Sequence, residues 1–240
     1  MTDLDDRFYF HQLLSGRDFG RDDGLAHQMV NFSYLIGDRE TKECVLVDPA
    51  YDVAGLLAVA ERDGMTVAGA LVTHYHSDHC GGNMMGHSIE GIAALVERTG
   101  VPIHVQAAEA EFVTKVTEVG GSDLVSHQPG DVVHVGAVPI ELVHTPGHTP
   151  GSQCFLVNGC LVAGDTLFLE GCGRTDLPGG DPAQLYESLT RTLAKVPDDA
   201  ILFPGHQYSV ASSATMGETR KLNFVFRPQT AEQWMAMFGG

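Results

Sequence analysis

Residues 73–82 read THYHSDHCGG, which puts His74, His76, Asp78 and His79 within six positions. The run ahead of them, VAGALV, is apolar and β-rich, and its length predicts a buried strand that ends where the motif begins. His74 and His76 are two apart, so on an extended strand end they point the same way. Asp78 and His79 follow where the chain must turn, and both pairs can converge. Neutral imidazole and carboxylate suit Zn²⁺, Fe²⁺ or Mn²⁺, whereas a lone structural histidine needs no such company.

Three more candidates lie downstream, each at the end of a predicted strand and each preceded by glycine: His148 in HTPGHTPGS, Asp165 in LVAGDTLF and His206 in LFPGHQYS. Glycine lets the backbone turn sharply and carry the next side chain to the sheet edge. Candidates at the ends of several distant strands can serve one site only if the chain folds with those ends side by side.

The rest of the sequence permits such a fold. With 240 residues, 43% of them hydrophobic, and 28 glycines, the chain can bury a large core as one domain over residues 1–240, built from two packed α/β halves. A formal charge of −17, from 14 basic against 31 acidic residues, repels nucleic acid and anionic membrane surfaces. No apolar run approaches the roughly 20 residues of a membrane span, and MTDLDDRFYFHQ lacks the regions of a signal peptide, so a cytoplasmic location is expected. The five cysteines are scattered without CxxC spacing and read as reduced thiols. His11, His27, His87, His104, His127, His134 and His144 lack ligand context and are assigned to surface or core roles.

FSYLIGD and ECVLVDP read as a hairpin around RETK, and Asn158-Gly159 marks a second hairpin within SQCFLVNGCLVAGD. VPIHVQ, DVVHVGAVPIELVHTPG and AILFPGH supply further strands. DVAGLLAVAERDG is helical, with Val53, Leu56, Leu57 and Ala60 on one face. DPAQLYESLTRTLAKV is a second helix, capped by Asp181, with Pro182 at its first position and a stripe of Leu185, Leu189 and Leu193. A third is expected over 88–99, from Ser88 as N-cap to a stop at Gly100, with Ile89, Ile92, Leu95 and Val96 on one face. Strand clusters with helices between them imply sheets covered by helices on their outer faces.

Taken in order, HYHSDH, TPGHTPGS, AGDTLF and PGHQY resemble the motifs of the metallo-β-lactamase superfamily, over roughly residues 30–210. The resemblance implies a four-layer αββα sandwich: two mixed sheets with helices on the outer faces, the helix at 88–99 being an insertion. It implies one metal held by His74, His76 and His148, a second by Asp78, His79 and His206, and Asp165 bridging them around a hydroxide. Two divalent ions are expected, Zn²⁺ first, with Fe²⁺ or Mn²⁺ as alternatives. Asp48, at the end of VLVDP, matches a family position that organises the site from behind the ligands; the turn-forming habit of aspartate explains it as well.

The stretch GDTLFLEGCGRTDLPGG resembles two glutathione-handling branches of that superfamily. Glyoxalase II enzymes, which hydrolyse acylglutathione thioesters, have GDTLF and GCGR here, and persulfide dioxygenases have GCGRTD. HSDHCGG looks more like the hydrolytic branch. Residues 207–240 fall short of the helical domain with which glyoxalase II grips glutathione, and GETRKLNFVFRP resembles only a fragment of it. The implied activity is hydrolysis of an anionic thioester such as an acylglutathione, with Asp78 and Asp165 catalytic and Arg174 and Tyr208 orienting a small-molecule substrate. The alternative is a mononuclear iron persulfide dioxygenase, in which Fe²⁺ uses His74, His148 and Asp165.

Overall fold

The hairpin around RETK forms, and it lies inside a larger sheet. The computed structural model describes residues 3–228 and 230–238; the expected domain limits, 1 and 240, lie outside the described residues. β1 (Phe8–Leu14), β2 (Phe32–Asp38), β3 (Glu43–Val47) and β4 (Thr66–Leu71) are consecutive neighbours. β5 (Gly82–Met84) and β6 (His87–Ile89) make a separate two-stranded ribbon, and β7 (Ile103–Gln106) and β8 (Leu124–His127) complete the sheet beside β4. Pairing is antiparallel from β1 to β3 and parallel from β3 outward.

The second sheet runs through β9 (Val132–Val135), β10 (Val138–His144), β11 (Gln153–Val157), β12 (Cys160–Gly164), β13 (Ile201–Pro204) and β14 (Ala214–Thr215), adjacent in that order. It is antiparallel except for the β12–β13 pair, so it too is mixed. Asn158 and Gly159 make the β11–β12 turn with φ of 42° and 76°, the left-handed pair that a two-residue hairpin requires.

Nine helices accompany the strands among the described residues: α1 (Asp3–Arg7), α2 (Gly24–Met29), α3 (Val53–Arg62), α4 (Ser77–Cys80), α5 (Ile92–Thr99), α6 (Ala110–Thr117), α7 (Pro182–Glu187), α8 (Met216–Leu222) and α9 (Ala231–Phe238). Three apolar cores define the layers. Leu46, Ala70 and Val105 of the first sheet pack with Leu56 of α3, Leu95 of α5 and Val113 of α6. Tyr34, Ile36 and Val47 meet Ile140, Phe155 and Val162 between the sheets. Leu161 and Leu202 pack with Leu185, Met216 and Trp234 on the other side. Alternate residues of β2, β3, β11 and β12 serve the inner and outer cores, and the result is the helix–sheet–sheet–helix sandwich anticipated above.

Two helices differ from expectation. The segment expected to be helical from residue 88 starts at Ile92, Ser88 pairs with Asn83 in the β5–β6 ribbon, and Gly91 takes the cap position with no side-chain cap bond. Gly91 lies flat against the Cys80 backbone, where any Cβ would collide, and Glu90 is tied to α3 by accepting from Val53 N at 2.8 Å. Those two anchors hold the backbone extended until residue 92, after which Ile92 and Leu95 join the first core. The helix begun by Asp181 and Pro182 keeps its cap and its leucine stripe, but after Glu187 it widens to a π turn over Ser188–Thr192 and tightens to 3₁₀ over Leu193–Lys195. Within the widened turn Ser188 Oγ donates to Pro146 O at 2.7 Å, so the irregular turn is bonded to the loop that carries His148.

Candidate metal centre

β4, β10, β12 and β13 all end at one edge of the sandwich, and the seven expected residues stand on the segments that leave them. After β4 the chain stays extended to His76, which precedes α4, and that single turn carries Asp78 and His79. Gly164 adopts φ 49° before Asp165, and a Cβ on Gly205 would strike Asp165 Oδ1, so the β12 and β13 ends meet only because both residues are glycine.

Three groups of donor atoms converge, each within 4.8 Å: His74, His76 and His148; His74, His79 and Asp165; and Asp78, His79 and His206. His76 Nδ1 lies 3.0 Å from both His74 Nε2 and His148 Nε2. His79 Nε2 lies 3.2 Å from His206 Nε2, 3.4 Å from Asp165 Oδ1 and 3.5 Å from Asp78 Oδ2. One ring nitrogen cannot donate to two others at once, but donors at about 2.0–2.1 Å from a tetrahedral cation would stand about 3.3 Å apart. Asp165 Oδ1 is buried without a hydrogen bond, which an isolated carboxylate oxygen does not tolerate and a cation would relieve. The donor chemistry, all imidazole and carboxylate, fits divalent Zn, Fe or Mn.

On four of the five rings, those of His74, His79, His148 and His206, the opposite nitrogen is held as a ligand requires. His79 Nδ1 bonds Asp48 Oδ2 at 2.9 Å, His148 Nδ1 bonds Arg174 O at 2.7 Å, and His206 Nδ1 bonds Met29 O at 2.8 Å. His74 Nδ1 meets Thr73 Oγ1 at 3.0 Å, and that hydroxyl donates to Asp48 Oδ2 at 2.6 Å. Each bond fixes a ring's tautomer and aims Nε2 inward. Asp48, at φ 50°, thereby supports two rings and also accepts from Thr73 N, so it organises the site as well as ending its strand.

Charge divides the rings into two sets. Burial and the neighbouring imidazoles push His74 well below its ordinary range, and burial with His148 takes His76 down to about 4. Burial opposes the charge on His79 too, yet Asp78, Asp165 and Asp48 outweigh it and lift His79 to about 10. His206 is raised as well, against burial, chiefly by Asp165. The reverse effect, again against burial, holds Asp165 well below the carboxylate range through His206 and His79. In the metal-free chain, a proton on His79 stands where cationic charge is called for.

The two substrate candidates lie outside this cluster. Tyr208 is half exposed and stacks on His206, with ring centroids 4.7 Å apart and planes at 9°. Arg174 is exposed and paired with Asp176 at 2.5 Å, while its backbone carbonyl takes the His148 bond. Cys80 is buried and donates to Tyr75 O at 3.2 Å, a structural thiol. His104 and His127 bond each other at 2.8 Å between β7 and β8, as structural residues do.

Sequence reasoning missed three supports. Asn31 donates to Asp78 Oδ2 at 3.1 Å and accepts from Tyr51 Oη at 2.9 Å. Buried Glu109 accepts from Tyr75 N, Thr149 Oγ1 and Gly151 N, tying the His74 segment to the His148 turn. Asn223 donates to Phe168 O and Gly171 O and accepts from Gly171 N, bracing the loop after Asp165. None stands in a ligand-like motif, and their partners are distant in sequence, so no local signal could have found them.

Comparison with known proteins agrees with the geometry. The family described as "Metallo-beta-lactamase superfamily" matches residues 28–206. Persulfide dioxygenase ETHE1, mitochondrial, of Homo sapiens is 32% identical over 196 residues, 80% of this chain and 70% of that protein. Hydroxyacylglutathione hydrolase of Shewanella oneidensis is 34% identical over 185 residues, 76% of this chain and 64% of that protein. The crystal structure of ETHE1 from Myxococcus xanthus superposes with a TM-score of 0.77 at 28% identity, covering 97% of this chain and 90% of that one.

Proposed function

The chain belongs to the metallo-beta-lactamase superfamily, and from that membership we propose that it is a two-metal hydrolase of a thioester such as an acylglutathione, with Zn²⁺ first and Fe²⁺ or Mn²⁺ as alternatives. The observation that carries this reading is the complete second donor group, Asp78, His79 and His206, beside the three-histidine group. A single cation at His74, His148 and Asp165 would leave Asp78, His79 and His206 without a metal to hold. When bound, the cations supply Lewis-acid chemistry, lowering the pKa of a shared water and polarising the substrate carbonyl.

The chain's own residues do the rest. Asp165, ionised and nearly buried, faces His79 through Oδ1 and both His148 and His206 through Oδ2, and so spans the two donor groups. Asp78, also held ionised against burial by His79 and His206, is oriented by Asn31 and takes up the proton of the attacking water at its carboxylate. Burial, together with Asp165 and Asp78, raises the Tyr208 phenol, so it remains a hydrogen-bond donor at neutral pH. The Arg174 guanidinium meets the anionic end of the substrate.

A second reading, an iron persulfide dioxygenase acting on glutathione persulfide, is favoured by GCGRTD at residues 171–176 and by the likeness to the human protein of that name. His206→Ala separates the two. Thiol release from S-lactoylglutathione is expected to fall on the order of 100-fold, the scale of losing one strong electrostatic stabiliser. Negligible hydrolysis by the unaltered protein, with oxygen uptake on glutathione persulfide that survives His206→Ala, would replace the first reading by the second.

A further inference from the structure

Asn31 stands where the second donor group has room for a fourth member. Its Nδ2 lies 3.1 Å from Asp78 Oδ2, 3.3 Å from His79 Nε2 and 3.5 Å from His206 Nε2. Those three atoms are themselves 3.2, 3.4 and 3.5 Å apart. All six distances fall close to the spacing of about 3.3 Å that four donors take around a tetrahedral cation. The amide thus closes a tetrahedron on Asp78, His79 and His206, with a centre within ligand reach of every corner.

The backbone fixes that placement. Asn31 forms an antiparallel bridge with His206, flanked by Phe32 N donating to Gly205 O at 2.8 Å and Gln207 N donating to Val30 O at 2.9 Å. The Asn31 side chain is buried there, held against the ligand segment by bonds on both sides of it. The two ends of an amide are nearly equal in size, but the nitrogen only donates and the oxygen only accepts. In the metal-free chain Nδ2 faces the donor group, and Oδ1 accepts from Tyr51 Oη at 2.9 Å. A cation at the centre would meet N–H hydrogens in that orientation. Turned end for end, the amide points Oδ1 inward, and Nδ2 donates to Tyr51 Oη, because a phenol hydroxyl accepts as well as donates.

We propose that Asn31 is a ligand of the second cation, turning its amide when that cation binds so that Oδ1 joins Asp78, His79 and His206. The cation then holds Asp78 in place of the amide N–H. The inference rests on the two-cation reading of the site, and it is independent of the reaction the site performs.

The test is made by NMR on the unaltered protein, labelled with ¹⁵N-asparagine and titrated with diamagnetic Zn²⁺. The chain has four asparagines, so four side-chain NH₂ pairs are followed. In metal-free protein the Asn31 pair should show proton–proton contacts with the His79 and His206 rings. As the second equivalent binds, those contacts should give way to contacts with the Tyr51 ring. Stepwise competition with a chromophoric chelator supplies a second reading. Asn31→Leu should weaken the second Zn²⁺ about 10-fold or more and leave the first unchanged, and Asn31→Asp, which keeps an oxygen and adds charge, should bind the second at least as tightly as the unaltered protein. Asn31 NH₂ contacts with the His206 ring that persist with two Zn²⁺ bound would overturn the inference alone, as would weaker second binding in Asn31→Asp. Saturation of the unaltered protein at one equivalent would remove the two-cation reading and the inference with it. Two cations bound with the amide turned, in a protein that hydrolyses no thioester, would leave the inference standing.

Discussion

His79 is the residue on which the site's electrostatics turn, because Asp48, Asp78 and Asp165 all face it and lift it to about 10 in the metal-free chain. At pH 7 it therefore carries a proton that a cation must displace, whereas His74 and His76 are already neutral. Loading apo-protein with Zn²⁺ at pH 7 should release about one proton per chain from His79. Calorimetry in buffers of different ionisation enthalpy reads that number, and a heat independent of buffer would contradict it. Asp48 acts one bond further back, through Thr73 and His79. Asp48→Asn should weaken metal binding about 10–100-fold, measured by competition with a chromophoric chelator.

At the scale of elements, what the sequence could reveal and what it hid follow from the range of the interactions. The convergence of HYHSDH with the Gly-preceded His148, Asp165 and His206 was legible because a strand end, a turn and a candidate donor occupy adjacent positions, and the Asn158-Gly159 hairpin and the Asp181-Pro182 cap are equally local. The start of α5 was not legible: apolar spacing over residues 88–99 is helical, and only contacts of Glu90 with α3 and of Gly91 with Cys80 hold its first turn extended. The brace of the 165–176 loop by Asn223 is another long-range device, spanning the chain from Phe168 to α8. Asn223→Ala leaves buried carbonyls unpaired and should cost about 1–3 kcal/mol, with metal content intact and KM for an anionic thioester raised as the Arg174 loop loosens. Thermal unfolding and steady-state kinetics check both, and an unchanged KM would make the brace purely structural.

Across the whole molecule, the two sheets are fastened at an edge remote from the metal centre by Asp38, which pairs with Arg7 of α1 and accepts from Ala137 N between β9 and β10. Arg7 holds its carboxyl down at about 2, against burial and with help from backbone donors. A folded pKa below the unfolded value of about 3.9 contributes stability that is present at neutral pH and lost as pH falls from about 4 towards 2. Asp38→Asn should therefore be less stable at pH 7 and lose less on acidification through that window, as read by circular dichroism; parallel acid-unfolding curves would contradict the link. No helix among the described residues is long and apolar enough to cross a membrane, and the net charge of −17 disfavours polyanionic partners. What remains at this scale is a sandwich whose strand ends gather two donor groups around one carboxylate, and its direct test is Zn²⁺ titration of metal-free protein with bound metal and thioester hydrolysis followed together. Two equivalents per chain, with hydrolysis of S-lactoylglutathione rising mainly with the second, is the expected result. Saturation at one equivalent without hydrolysis would contradict it.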